Sequence, residues 1–354
     1  MKQKWIWIGL GIFAILLRWI LGYQADIVEA YYARGIYLGI RKILDYTIGL
    51  LPFPVVYLMF AAVLYTIIYG VIWLIRNRLS WEKKLQYSLL SIAAFLGGAV
   101  FFFLFLWGFN YARVPIGQQL GIELMPLTKA DFVRSLETTR STLIDLRHQL
   151  GTDSITLTPE YFPNPLKQKI QSEVQGVFRE LNYPYQFTPK VQLLYPKGTL
   201  LRWSTLGVYF PWTGECNLDA GLHPVEIPHV MAHELAHGYG IGDEGTCNFI
   251  AYLACIGSDD IAIRYAGYLE YFATLFANYR KYDAEGAKAY LSSLSPAIKA
   301  DWNAMIENHR KYPNLFPKLR RATYDTYLKI QGIEQGVQNY DEVLMLVKAW
   351  ESRK

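Results

Sequence analysis

His233-Glu234-Leu235-Ala236-His237 decides how this chain is read. Two histidines four apart on a helix project from one face, one turn above the other, so their ring nitrogens can reach a single metal ion. The glutamate directly after the first histidine lies beside that metal, where its carboxylate can take a proton from water. Only six histidines occur in 354 residues, which makes the spacing informative. Pro228 suits the first turn of the helix, and Gly238, Gly240 and Gly242 supply the left-handed turn that ends it.

A new apolar run then passes through Cys247, Phe249, Ile250 and Leu253, so the chain turns and enters a second helix. Catalytic zinc takes three protein ligands and leaves a fourth position for water, so a third ligand is expected from this region. Glu244, at the start of the second helix, can face back toward the first, and it is favoured over Asp243, Glu226 and Glu270. His229, one turn before His233, is a weaker candidate. Cysteine ligation is not expected, because no C-x-x-C spacing is present. Without the metal, a Glu244 carboxylate oxygen should come within about 4–5 Å of both histidine rings, since metal–ligand bonds are about 2 Å.

His233–His237 followed by Glu244…Cys247-Asn248 resembles the gluzincin branch of zinc metallopeptidases, with HExxH on one helix and a glutamate ligand on the next, often as E-x-x-A-D/N. The resemblance implies one Zn2+ ion held by His233, His237 and Glu244, Glu234 as general base, and Asn248 as a residue that steadies a ligand. Three N-terminal spans, Trp107-Gly108-Phe109-Asn110-Tyr111, Pro211-Trp212-Thr213-Gly214-Glu215 and the HELAH helix together are similar to an uncharacterised family of bacterial membrane proteins, nearly end to end. That family carries a Glu-rich stretch ending Glu-Ala-Asn-Phe. Here Thr246 stands for the last glutamate and Cys247 for the alanine, and the E-x-x-small-Asn register points to Glu244 instead.

The composition fits a membrane anchor. The chain is 52% hydrophobic and only 18% charged, too apolar for an ordinary soluble enzyme. The excess lies in residues 5–22, 55–75 and 87–109, each near the length of about 20 residues that crosses a bilayer. The first reads as an uncleaved anchor rather than a signal peptide, since no small-x-small site follows it. Residues 25–46 read as an amphipathic helix, lying either at the membrane interface or packed on the spans, with Ile27, Ala30, Tyr31, Ile36, Ile40, Ile43 and Leu44 in its apolar stripe. Lys2 and Lys4, and the Arg76–Lys84 cluster, belong inside by charge. This makes the N-terminus cytoplasmic and residues 110–354 extracytoplasmic, and the family resemblance implies the bacterial cytoplasmic (inner) membrane. The Lys and Arg form no basic stripe, so no nucleic-acid partner is expected, and no nucleotide either. The expected partners are the lipid bilayer and a peptide or protein substrate.

The fold expected is α+β and mostly helical: a membrane anchor over 1–109, then a zincin-like catalytic domain over 110–354 with a small sheet and the HExxH helix. Strands are expected at Val191–Tyr195 and Leu206–Phe210. The stretch Leu206–Cys216 is the expected edge where a substrate backbone would pair. Thr128 should cap the first long helix of the domain. The reading is a membrane-anchored zinc metallopeptidase. The alternatives are a non-catalytic zinc-binding envelope sensor and a structural protein with a degenerate site. An oxyanion stabiliser is also needed, from among Arg264, Tyr265, His309 and Tyr340. Tyr324 reads as packing. An extracytoplasmic site would permit a Cys216–Cys247 disulfide, and two buried thiols are the other reading.

Overall fold

The protein is described by a computed structural model over residues 1–151, 156–185, 187–333, 335 and 341–353, with residue 320 described in its backbone alone. Its chain divides into two compact units, Met1–Val114 with Phe210–Glu215, and Pro115–Tyr209 with Cys216–Lys354.

In the first unit, Lys2–Leu21, Val56–Arg76 and Trp81–Leu106 are long and apolar enough to cross a membrane, in keeping with a multi-pass membrane protein. The third begins six residues before the expected start. Ser80 stands at its N-cap and Glu82 in its first turn, where an anion complements the helix dipole, so the expected loop shrinks to residues 77–80. The first and third of these helices pack where Gly11 meets Gly97. A Cβ on Gly11 would lie 2.5 Å from the Gly97 Cα, so only small residues permit this backbone approach.

The segment expected to be amphipathic is helical from Ala25 to Thr47, with a wide π turn over Val28–Ile36. Val28, Tyr32, Ala33 and Tyr37 are its buried apolar residues, and Glu29 and Arg41 are buried too, whereas Ile27, Ala30, Tyr31, Ile36 and Ile43 of the expected stripe are exposed and Ile40 and Leu44 half-buried. Arg113 makes two hydrogen bonds of 2.8 Å to the Glu29 carboxylate, which fixes the buried face. The Phe210–Glu215 turn is held in the same unit. Arg41 donates to the Gly214 carbonyl at 2.7 Å, and the Glu215 carboxylate accepts from the Val55 and Val56 amides at 3.0 Å each, capping the second apolar helix.

The second unit is mostly helical around a three-stranded sheet. Its strands are β1 (Lys190–Leu194), β2 (Gly207–Phe210) and β3 (Glu215–Asp219), in the order β1-β3-β2. The expected strand Leu206–Cys216 is therefore two strands and a turn, with β2 as an edge. β3, Glu-Cys-Asn-Leu-Asp, is central and wholly buried, although nothing in it reads as a strand core. The Asp219 carboxylate at its end accepts from the amides of Gly198, Leu200, Leu201 and Gly221. Lys129–Gln149 opens with a capping box between Thr128 and Asp131, as expected. Helix Ile227–Gly238, which carries the motif, packs against Glu244–Ile256, and both pack on Leu166–Glu180. The long helix Ile261–Tyr282 buries Tyr265, Tyr271, Phe272, Leu275, Phe276 and Tyr279 along one face.

Candidate metal centre

The motif helix starts with Pro228 in its first turn and ends before Gly240, whose φ of 91° is the left-handed conformation that glycine adopts without strain. Asp243 then caps the next helix by accepting from the Thr246 amide at 2.6 Å, which places Glu244 in its first turn. The two helices thus face each other through His233, His237 and Glu244. Each histidine Nε2 lies beside the same oxygen, Glu244 Oε2, at 3.2 Å for His233 and 3.3 Å for His237. Ligands at about 2.1 Å around a tetrahedral ion lie about 3.4 Å from one another. The three donors, all within 4.8 Å of one another and all buried, are spaced to hold a metal ion.

The far side of each ring is fixed. His237 Nδ1 is 2.8 Å from the Ile241 carbonyl, an acceptor, so Nδ1 is the protonated nitrogen when the ring is neutral and Nε2 is the one that faces the centre. His233 Nδ1 is 2.8 Å from Asn248 Oδ1, which sets the other ring in the same way. Asn248 therefore occupies the steadying position expected of it. The rings meet edge to face, with centroids 4.8 Å apart.

Glu234 is buried beside this group, and its Oε2 has no hydrogen-bond partner among the described residues. The Tyr209 backbone amide reaches its carboxylate from β2. The approach is close because residue 207 is glycine: a Cβ there would lie 2.6 Å from Glu234 Oε1 and 2.9 Å from its Cδ. Burial pushes the Glu234 carboxyl up, the two histidines oppose this and Glu244 adds to it, with a net raised value. Burial also opposes charge on Glu244, yet His237 and His233 outweigh it and hold that carboxyl well below its usual range. Burial alone would lower His237, but the neighbouring Cys247 and Glu244 raise it well above its usual value. His229 is buried and driven to about 3, first by burial and then by His233, so it is neutral and lies outside the ligand group.

The remaining expectations fare differently. The Tyr265 hydroxyl is committed to Asp301, to which it donates at 2.7 Å in a buried group with Arg147, and it lines neither the ligand group nor the cavity beside it. Arg264 donates to the Ser258 carbonyl. His309 Nε2 is 2.6 Å from Glu226 and lines a neighbouring cavity. Tyr340 lies outside the described residues. The expected Cys216–Cys247 bridge is not formed, and both are free thiols: Cys216 Sγ donates to the Glu234 carbonyl at 3.1 Å, and Cys247 Sγ lies 3.3 Å from His237 Nδ1. Tyr324, read as packing, instead donates its hydroxyl to Glu244 Oε1 at 2.7 Å. It comes from helix Pro317–Ile330, remote in sequence, and no local pattern marks it.

A family described as a protein of unknown function, DUF3810, matches residues 32–348. The chain belongs to the DUF3810 family. The matched stretch of this DUF3810 protein contains the whole centre from Gly207 to Tyr324. No curated protein and no solved structure matches the DUF3810 chain.

Proposed function

We propose that this protein is a membrane-anchored zinc metallopeptidase of gluzincin type, with a zincin-like second unit and Glu234 as its general base. The observation that carries the reading is the convergence of two Nε2 atoms on one Glu244 oxygen at tetrahedral spacing, with a buried Glu234 carboxylate oxygen left open beside them. Nitrogen and carboxylate donors in this number suit zinc and leave a fourth position for water or substrate. A zinc ion bound there supplies Lewis acidity toward a water and toward the substrate carbonyl.

The protein's own groups supply the rest. Asn248 and the Ile241 carbonyl hold the imidazoles in the ligating tautomer, and Tyr324 holds the Glu244 carboxylate. Glu234, raised by burial, accepts the proton of the attacking water and returns it to the leaving amine. The edge strand β2 offers backbone groups to an extended peptide. The charge bias of the apolar helices supports a bacterial cytoplasmic-membrane location with an extracytoplasmic second unit.

The test is metal analysis and peptide hydrolysis by the full chain in detergent, beside Glu234→Gln. The expected result is one zinc per chain in both, with hydrolysis lowered about 10²–10⁴-fold in the variant. Equal activity in both would remove Glu234 as the base. A second reading, a non-catalytic zinc-binding envelope sensor, is favoured by the burial of all three ligands. Stoichiometric zinc without hydrolysis of a broad peptide library would select it.

A further inference from the structure

Two cavities of the second unit meet beside the metal centre. One, about 400 Å³, is lined by His233, Glu234, Asn248 and Tyr324 among others. The other, about 750 Å³, is walled by Leu201, Trp302, Met305 and Ile306, and falls in the range of roughly 300–1,000 Å³ usual for ligand pockets. Both are lined by Ser204, Thr205, Leu206 and Glu270, so they adjoin along these residues. Residues 204–206 lead directly into β2, so a chain paired along that edge runs on past them toward the larger space.

The charges around the larger cavity are matched with one exception. Glu226 is engaged by His309 Nε2 at 2.6 Å and by the His223 amide at 3.0 Å. Arg310 at the rim pairs with Glu307 at 3.4 Å. Glu270, at the junction of the two cavities, makes no hydrogen bond or ion pair among the described residues. Burial, reinforced by Glu226 and opposed by His309 and His233, pushes its carboxyl up to about 7, as befits an anion without a counter-charge. Nothing in the hydrolytic reading uses this group. An uncompensated carboxylate at the mouth of an apolar cavity is matched by a cation with an apolar neighbour.

We propose that the junction and the larger cavity form a two-part specificity subsite, in which Glu270 binds a lysine- or arginine-type side chain of the substrate and the space walled by Leu201, Trp302, Met305 and Ile306 takes a large apolar residue next to it. This rests on the reading that a peptide occupies the metal cavity. An aliphatic residue at the first position would leave Glu270 desolvated without a partner, so the discrimination comes from a mismatch as well as an attraction.

The test uses the zinc-loaded full chain in detergent carrying Glu234→Gln, with binding read by fluorescence anisotropy. The probes are octapeptides blocked at both ends and matched except for one pair: Lys-Leu, norleucine-Leu or Lys-Ser. Lys-Leu should bind at least tenfold tighter than either of the others. Adding Glu270→Gln should erase the preference for lysine over norleucine while the norleucine-Leu affinity holds, which also reports that the variant is folded. Adding Met305→Trp should erase the preference for leucine over serine while the preference for lysine holds. Equal binding of the lysine and norleucine peptides, or no binding of any peptide, would overturn the proposal. Binding is read without turnover, so the hydrolytic reading fails or stands separately. Preference without cleavage by the unsubstituted protein keeps the subsite and removes the peptidase; cleavage without preference does the reverse.

Discussion

Two buried carboxylate clusters in the second unit make opposite use of similar parts. Asp301 is fully buried and has every oxygen answered: Arg147 at 2.9 Å and Tyr265 at 2.7 Å on Oδ2, and the Leu157 amide at 2.9 Å on Oδ1. At the metal centre, Glu244 faces two imidazole nitrogens that are acceptors when neutral, and Glu234 keeps an oxygen with no hydrogen-bond donor among the described residues. The first cluster is complete as it stands. The second lacks positive charge unless a proton or a metal ion supplies it. Donor accounting therefore separates a complete ion pair from a group with room for a metal ion better than burial does, since both clusters are buried alike.

The largest effect should come from the complete cluster. Asp301→Asn leaves Arg147 buried without its counter-ion and should cost about 3–5 kcal/mol of stability. Chemical denaturation reads the loss, while zinc bound per folded molecule stays constant. A fall in zinc stoichiometry instead would mean that the two clusters are not separable.

Next in size is Gly207→Ala, whose new Cβ must displace the Glu234 carboxylate. Under the proposed reaction hydrolysis should fall about 10–100-fold, because misplacing a reacting group by an ångström has effects of that order. Zinc content should not change. Asn248→Ala frees the His233 ring and should weaken zinc about tenfold or more by competition with a chelator, and Tyr324→Phe should do so by about tenfold through Glu244. Unchanged affinity in both would reduce the supporting hydrogen bonds to packing.

The pH dependence is the gentlest comparison. In the metal-free protein His237 is raised and Glu244 lowered, so the two form an ion pair. The Glu244 contribution is present above about 4.5 and is lost as pH falls through its depressed value; the His237 contribution is present below about 6.5 and is lost as pH rises through its elevated value. An incoming ion must displace the His237 proton. Apparent zinc affinity should therefore drop by about tenfold per pH unit below that elevated value and level off above it. Titration calorimetry in two buffers, counting the protons released, checks the sign.

Much of the centre was legible because helix geometry converts spacing into position. His233 and His237 share a face by their separation of four. The glycine turn and the Asp243 cap deliver Glu244 opposite them, and Asn248 follows one turn later. Helix ends were equally plain where Thr128 or Pro228 marked them. What escaped depended on partners far away in sequence. β3 carries polar residues that look like loop until the four amides around Asp219 are seen. Tyr324 looks like any helix tyrosine until Glu244, 80 residues earlier, is beside it. Tyr265 resembles a catalytic candidate only while Asp301 is out of view. The π turn over Val28–Ile36 escaped because a regular helical period cannot express an inserted residue, and it leaves Ile27, Tyr31, Ile36 and Ile43 of the expected stripe exposed.

Gly207 has a further consequence, for measurement along the strand. Its missing side chain lets the edge of β2 close on the Glu234 carboxylate, which the Tyr209 amide also reaches, and Val208 in the place of Gly207 would collide with it. A slip of β2 by one residue is thus blocked by the acid itself. For a peptide that pairs with this edge under the proposed reaction, Gly207 would be the zero mark of a ruler, fixing how many residues separate the bond to be cut from the side chain that Glu270 reads.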